Sequence, residues 1–269
     1  MKNISDEYTH LITKINASHV WDEEPVFAFS SDLDWASEAV MNEYLRLIPV
    51  EELKMTFFVT HHSEIVHKLV SQKKADRGIH PNFLPDSSHG NSFKEIIETC
   101  RAFAPEAIGS RSHRVFDVTD VSHLLKYQYD FLYTSNIITT LAPGIKPHLH
   151  ESRLVHLPVF FEDGTFLFQE LNFDIKEYER YFTSPGLKIV SFHPMNMVFN
   201  TPYLQWMRDI KNSMSREAFN TIDENYILKY RHQNMGIYNV VMEMINFVKK
   251  KDYKIMSMNE MYYHTVGKL

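Results

Sequence analysis

The sequence predicts an α/β fold: a single-domain (β/α) barrel, irregular or incomplete, with about seven parallel strands. Three observations lead there. Short apolar runs rich in Val, Ile and Phe alternate with stretches of helical periodicity along most of the chain, as repeated βαβ units require. Polar residues able to do chemistry recur just after those runs, where strand ends of such folds build their sites. Finally, 269 residues, 44% hydrophobic and 23% charged, can bury one large core of ordinary globular composition. No repeat, linker or low-complexity tract divides the chain. Residues 1–269 therefore read as one domain, with its core between about 25 and 260.

Residues 1–20 read as an N-terminal helix or arm, and Trp21 to Pro25 as the lead into the first strand. Val26-Phe27-Ala28-Phe29-Ser30 is an apolar run entered after a proline, the mark of a buried strand, and it empties into Ser31-Asp32-Leu33-Asp34-Trp35. From Ala36 to Ile48, residues Ala39, Val40, Tyr44, Leu45 and Ile48 share one helical face. Met55 to Thr60 is a second buried strand, and Ser63 to Lys73 a second helix carrying Ile65, Val66, Leu69 and Val70. Asp76 to Asn91, with its prolines, glycines and small polar residues, reads as a loop holding His80 and His89. Phe93 to Phe103 is helical again, and Ala107-Ile108-Gly109-Ser110 leads to a basic exit, Arg111-Ser112-His113-Arg114.

Strands follow at Phe131 to Tyr133 and Val155 to Phe160, the second running into Glu162-Asp163-Gly164. Leu187 to Phe192 is another, ending in His193-Pro194-Met195. Residues 199–233 lack strand signals and read as a helical excursion. Gly236 to Lys251 is a helix whose Lys-rich end suits its dipole, and Lys254 to Met258 a last strand.

Composition narrows the function classes. A net charge of -6 argues against an electrostatic grip on nucleic acid. Met1 to Val20 has no apolar core of a signal peptide, and no apolar stretch is long enough to span a membrane, so a cytoplasmic protein is expected. The one cysteine, Cys100, excludes an internal disulfide and a thiolate cage for zinc, and reads as helix packing. Fifteen histidines turn attention to imidazole chemistry.

The strand exits collect Asp32 and Asp34, Arg111, Glu162 and Asp163, and His193. His80 and His89 with one carboxylate would make a site of two imidazoles and one acid, leaving positions open for water and substrate. Each residue alone has a plain structural alternative. Acids cap helices, a histidine before proline often serves a turn, and an arginine often makes a surface ion pair. Order and placement together favour a built site over scattered structural residues, and the resemblance described next implies a metal-dependent amidase. A metal enzyme of another reaction type, for instance with iron, and a catalytically silent carbohydrate-binding protein are the alternatives from other classes.

In these motifs the chain resembles the polysaccharide deacetylase family, the NodB-homology or carbohydrate esterase 4 group. Phe29-Ser30-Ser31-Asp32-Leu33-Asp34 is similar to the family's Asp-x-Asp motif, which implies Asp32 as general base and Asp34 as metal ligand. Gly78-Ile79-His80 resembles the Gly-x-His that supplies a metal-binding histidine; the next histidine, His89, stands in for the usual partner behind a lengthened loop. Arg111 resembles the arginine that orients the base, although the aromatic residue and proline expected beside it are replaced by His113 and Arg114. Ser191-Phe192-His193-Pro194 resembles the last motif, implying His193 as general acid, with Asp163 or Glu162 behind it. The Gly-Ile-His-Pro-Asn-Phe and Arg-Ser-His-Arg spellings are closest to the surface-glycan and lipopolysaccharide biosynthesis branch. The resemblance implies a divalent metal, zinc foremost, held by Asp34, His80 and His89. It also implies removal of an acetyl or formyl group from an amino sugar, sugar nucleotide or lipid-linked intermediate.

Overall fold

The computed structural model describes residues 4–267. Ten strands form one sheet: β1 Pro25–Asp32, β2 Thr56–Val59, β3 Asp76–Ile79, β4 Gly109–Ser110, β5 Tyr133–Thr134, β6 His148–Leu149, β7 Val155–His156, β8 Val159–Glu162, β9 Gly186–Phe192 and β10 Lys254–Ile255. Their order is β6-β7-β5-β4-β3-β2-β1-β9-β8, with β10 beside the start of β1. Every pairing is parallel except β6 with β7.

β1 sits at the centre because its sequence is apolar on both faces, as a parallel strand covered by helices must be. All of Pro25–Asp32 is buried, and β1 pairs with β9 from Pro25↔Gly186 to Ser31↔Phe192 while β2 runs along its other side. The sheet curls into an irregular barrel. Val155 and His156 pair with β5, and three residues later Val159 pairs with β9 at Ile189 and bridges Ile138. Pro158 lies at the switch: lacking an N–H, it cannot continue either ladder. A single stretch of chain thus stitches β5 to β9 across the seam.

Two expectations are corrected. Asp76–Ile79, read as the start of a loop, is the strand β3, paired with β2 through Thr56↔Asp76 to Val59↔Ile79. Its sequence hides this, because pairing with β2 and β4 rather than apolar pattern makes it a strand. Gly78 is required there: a Cβ would lie 2.6 Å from the Phe58 ring and 2.9 Å from the Gly109 carbonyl oxygen. At the other end, only Lys254–Ile255 of the expected last strand pairs. Ser257 ends it by opening the helix Met258–Thr265 with a capping box, accepting from the Glu260 N–H while Glu260 accepts from its own.

Helices pack outside the sheet, among them Ile4–Ile15, Glu38–Leu47, Glu64–Ser71, Phe93–Phe103 and Ile237–Lys250. Residues 199–233 contain three short helices, Leu204–Asn212, Arg216–Asn220 and Glu224–Tyr230. None of the helices is long and apolar enough to cross a membrane, among the described residues.

Candidate active site

The carboxyl ends of β1, β3, β4, β8 and β9 surround a cavity of about 280 Å³ lined by Asp32, Asp34, His80, Arg111, His113, Glu162 and His193 among others. Asp32 is the last residue of β1, and Asp34 follows at the same parity, so both acids face the cavity. The chain turns sharply there. Asp34 and Trp35 both hold left-handed backbone conformations, φ 45° and 59°, and the Ala36 N–H closes the turn on the Leu33 carbonyl. Such strain persists only where surrounding contacts impose it. Here the Trp35 N–H donates to Thr60 Oγ1, and its ring lies against His89 and His113.

Arg111 is buried under this floor. Its Nη1 lies 2.8 Å from Asp32 Oδ1, 2.9 Å from Ser30 Oγ and 2.8 Å from Ser191 Oγ, while Nη2 donates to Ser135 Oγ at 2.9 Å. The guanidinium also stacks over Phe58, 4.3 Å from the ring centre. Burial works to raise the pKa of Asp32, but the charge of Arg111, with smaller contributions from the neighbouring His80 and His193 rings, overrides it and holds the carboxyl below its ordinary value.

Asp34 is the meeting point of three imidazoles. Its Oδ1 lies 3.2 Å from His80 Nε2 and 2.9 Å from His113 Nδ1, and its Oδ2 lies 3.7 Å from His193 Nε2. Burial again opposes ionisation, and the hydrogen bonds from His113 and His80 override it, keeping this carboxyl well below the usual range. One donor atom each from Asp34, His80 and His113 lie within 4.8 Å of one another. Two imidazoles and a carboxylate at that separation are the donor set of a zinc-like site with open positions.

A second cluster, Glu162, Asp163 and His193, is equally compact, but its donors are already spent. Asp163 Oδ1 lies 2.6 Å from His193 Nδ1, and its Oδ2 accepts from the His193 N–H and from Asn196 Nδ2, both at 2.9 Å. Glu162 caps the helix Asp163–Phe168 through the Gly164 and Thr165 N–H groups. Burial would lower the pKa of His193; the charge and hydrogen bond of Asp163 win and carry it well above its ordinary value. Burial, then repulsion from Asp163, pushes Glu162 up to about 6.

His89 is where the expected constellation and the structure part. Its Nε2 donates to the Thr60 carbonyl at 2.7 Å, and its Nδ1 accepts from the Asn82 N–H at 3.1 Å beside Cys100 Sγ. With both nitrogens held, the ring is a buried strut beneath Trp35 and has no lone pair to offer a metal. His113 occupies the place foreseen for it. The signal was available: Arg111 and His113 are two apart on the extended exit of β4, so an inward arginine implies an inward histidine.

A family model described as "WbmS-like: Polysaccharide deacetylase" matches residues 29–211, most of the chain and every motif above. The chain belongs to the WbmS-like polysaccharide deacetylases. The family supports a carbohydrate deacetylase, with polysaccharide or glycan as the class of molecule concerned. The fold is shared with a crystal structure from Bordetella bronchiseptica, WbmS, named for a proposed role as a polysaccharide deacetylase in O-antigen biosynthesis. The two superpose with a TM-score of 0.71 at 23% identity, over 82% of this chain and 90% of that one. No curated protein matches.

Proposed function

We propose that this WbmS-like deacetylase is a metal-dependent hydrolase that removes an N-acyl group from an amino sugar of a surface-glycan intermediate. The observation that carries the reading is the convergence of His80 and His113 on one oxygen of Asp34, with His193 facing the other. Asp34, His80 and His113 would hold the ion, zinc by the chemistry of the donors. When bound, zinc acidifies water and polarises the acyl oxygen.

The chain's own residues supply the rest. Asp32, kept ionised by Arg111, accepts the proton of the attacking water. Arg111 is a positioning residue, since its donors are spent on Asp32 and on the serines of β1, β5-adjacent Ser135 and β9. His193, charged because Asp163 holds Nδ1, presents Nε2 to the cavity and gives its proton to the departing amine. Without that proton a free amine is a very poor leaving group. Ile138 and Val159 offer the cavity an apolar wall that suits an acyl methyl.

The test is amine release from an N-acetylated amino sugar by the zinc-loaded protein, with Asp32→Asn and His193→Ala as variants. Turnover should fall by about a hundredfold or more in each. Unchanged turnover in both would leave a carbohydrate-binding protein on a deacetylase fold.

A further inference from the structure

We propose that the substrate is an anionic N-acyl amino sugar, whose negative group is bound at the mouth of the active site by Arg114 and Lys211. The inference rests on the deacetylase reading and adds what that reading leaves open, the charge of the substrate. Both residues line the same cavity as the catalytic groups, and both are exposed there.

The decisive point is the balance of partners around the cavity. Asp32 is paired with Arg111, Asp34 with His80 and His113, and Asp163 with His193, while Glu162 accepts two backbone N–H groups. No carboxylate among the described residues lies within ion-pair distance of Arg114 or Lys211. On a chain with a net charge of -6, the charges lining this cavity that have no ion-pair partner among the described residues are both positive, Lys211 Nζ standing 5.5 Å from the centre of the Phe219 ring. A mouth of that sign draws anions in and rewards a negative group on the ligand.

Backbone strain points to the same place. Arg114 and the β-branched Val115 hold consecutive left-handed conformations, φ 56° and 49°, directly after His113. A β-branched residue adopts that conformation only when something imposes it, and such outliers gather at ligand clamps. Lys211 comes from elsewhere, near the end of the helix Leu204–Asn212 in the excursion. The excursion thereby gains a role: it brings a second cation over a cavity built otherwise from strand exits.

A guanidinium and an ammonium recognise a carboxylate or a phosphate equally well. The anion is therefore either the carboxylate of an amino uronic acid or the diphosphate of a carrier-linked sugar. Steady-state kinetics of the zinc-loaded enzyme on three N-acetylated substrates separates these: an amino uronic acid, a nucleoside-diphosphate amino sugar and a neutral amino sugar. The native enzyme should prefer one anionic substrate in kcat/KM, and that KM should rise with salt. In Arg114→Ala/Lys211→Ala the preference should shrink by about a hundredfold, through KM rather than kcat, and the salt dependence should flatten.

Calorimetric titration of uridine diphosphate and of glucuronate into the catalytically dead Asp32→Asn protein, with and without the two substitutions, reads binding without turnover. Binding of either anion that depends on the two cations supports the inference even if no acetylated substrate is hydrolysed. If neither anion binds, or binding and preference survive the double substitution, the inference is overturned while the deacetylase reading stands on its own assay.

Discussion

Two groups of three histidines lie on this sheet, and they behave oppositely. At the cavity, His80, His113 and His193 each face an oxygen of Asp34. At the edge, His148 of β6 pairs in register with His156 of β7, and His150 packs on the same ring, with ring centres 5.4 and 5.0 Å from His156. Among the described residues His156 is buried with neither ring nitrogen partnered, and only the neighbouring imidazoles act on its charge. Burial and the neighbouring imidazoles push its pKa down to about 4, whereas Asp163 overrides burial and raises that of His193. The difference teaches that a carboxylate, more than the number of imidazoles, separates a reactive cluster from a packed one.

Removing ligands should break the contrast most strongly. Asp34→Ala, His80→Ala and His113→Ala should each abolish stoichiometric zinc by metal analysis and lower amine release at least about a thousandfold. His89→Gln and His156→Phe should keep their zinc. Next in size is Asp163→Asn, which frees the His193 ring and removes the charge that keeps it protonated; turnover should fall about a hundredfold with zinc retained.

A smaller effect falls on stability. Because His156 titrates near 4 when folded and near 6.5 when unfolded, the unfolded chain binds the proton first as pH falls. Stability attributable to it is therefore complete above about 6.5 and lost on the way down to 4, by about 3 kcal/mol in all. Denaturant titrations at pH 7 and pH 4 should show a shallower acid loss in His156→Phe than in the native protein. Part of the loss should persist, since burial also holds His89 at about 4. Smallest of all, His62 pairs with Glu64 at the surface, and His62→Ala should move the melting temperature by under about 1 °C.

The same contrast explains what could be read from the sequence. Asp32 and Asp34 stand out because the apolar run Val26-Phe27-Ala28-Phe29 leads through two serines into two acids at a strand's exit, where charge is costly to hold without a partner. β1, β2 and β9 are legible for the same reason: central parallel strands are apolar on both faces. β3 is not, since Asp76, Arg77 and Gly78 become a strand only through their neighbours. His89 and His113 are told apart by their surroundings. The first is consumed by the Thr60 carbonyl and the Asn82 N–H, partners that exist only after the loop folds back, while the second inherits its direction from Arg111 two residues earlier. The seam was hidden as well: an apolar run from Val155 to Phe160 looks like one strand, and only its neighbours reveal that it changes partners at Pro158.

That change of partners ties His193 to the closure of the barrel. Glu162 ends the stitched stretch and Asp163 follows it, so the groups that tune His193 are held in place by the same few residues that draw the two halves of the sheet together. Loosening the join would therefore show first as an altered pH–rate profile, before any loss of secondary structure, and activity would report on the integrity of the architecture more sensitively than circular dichroism.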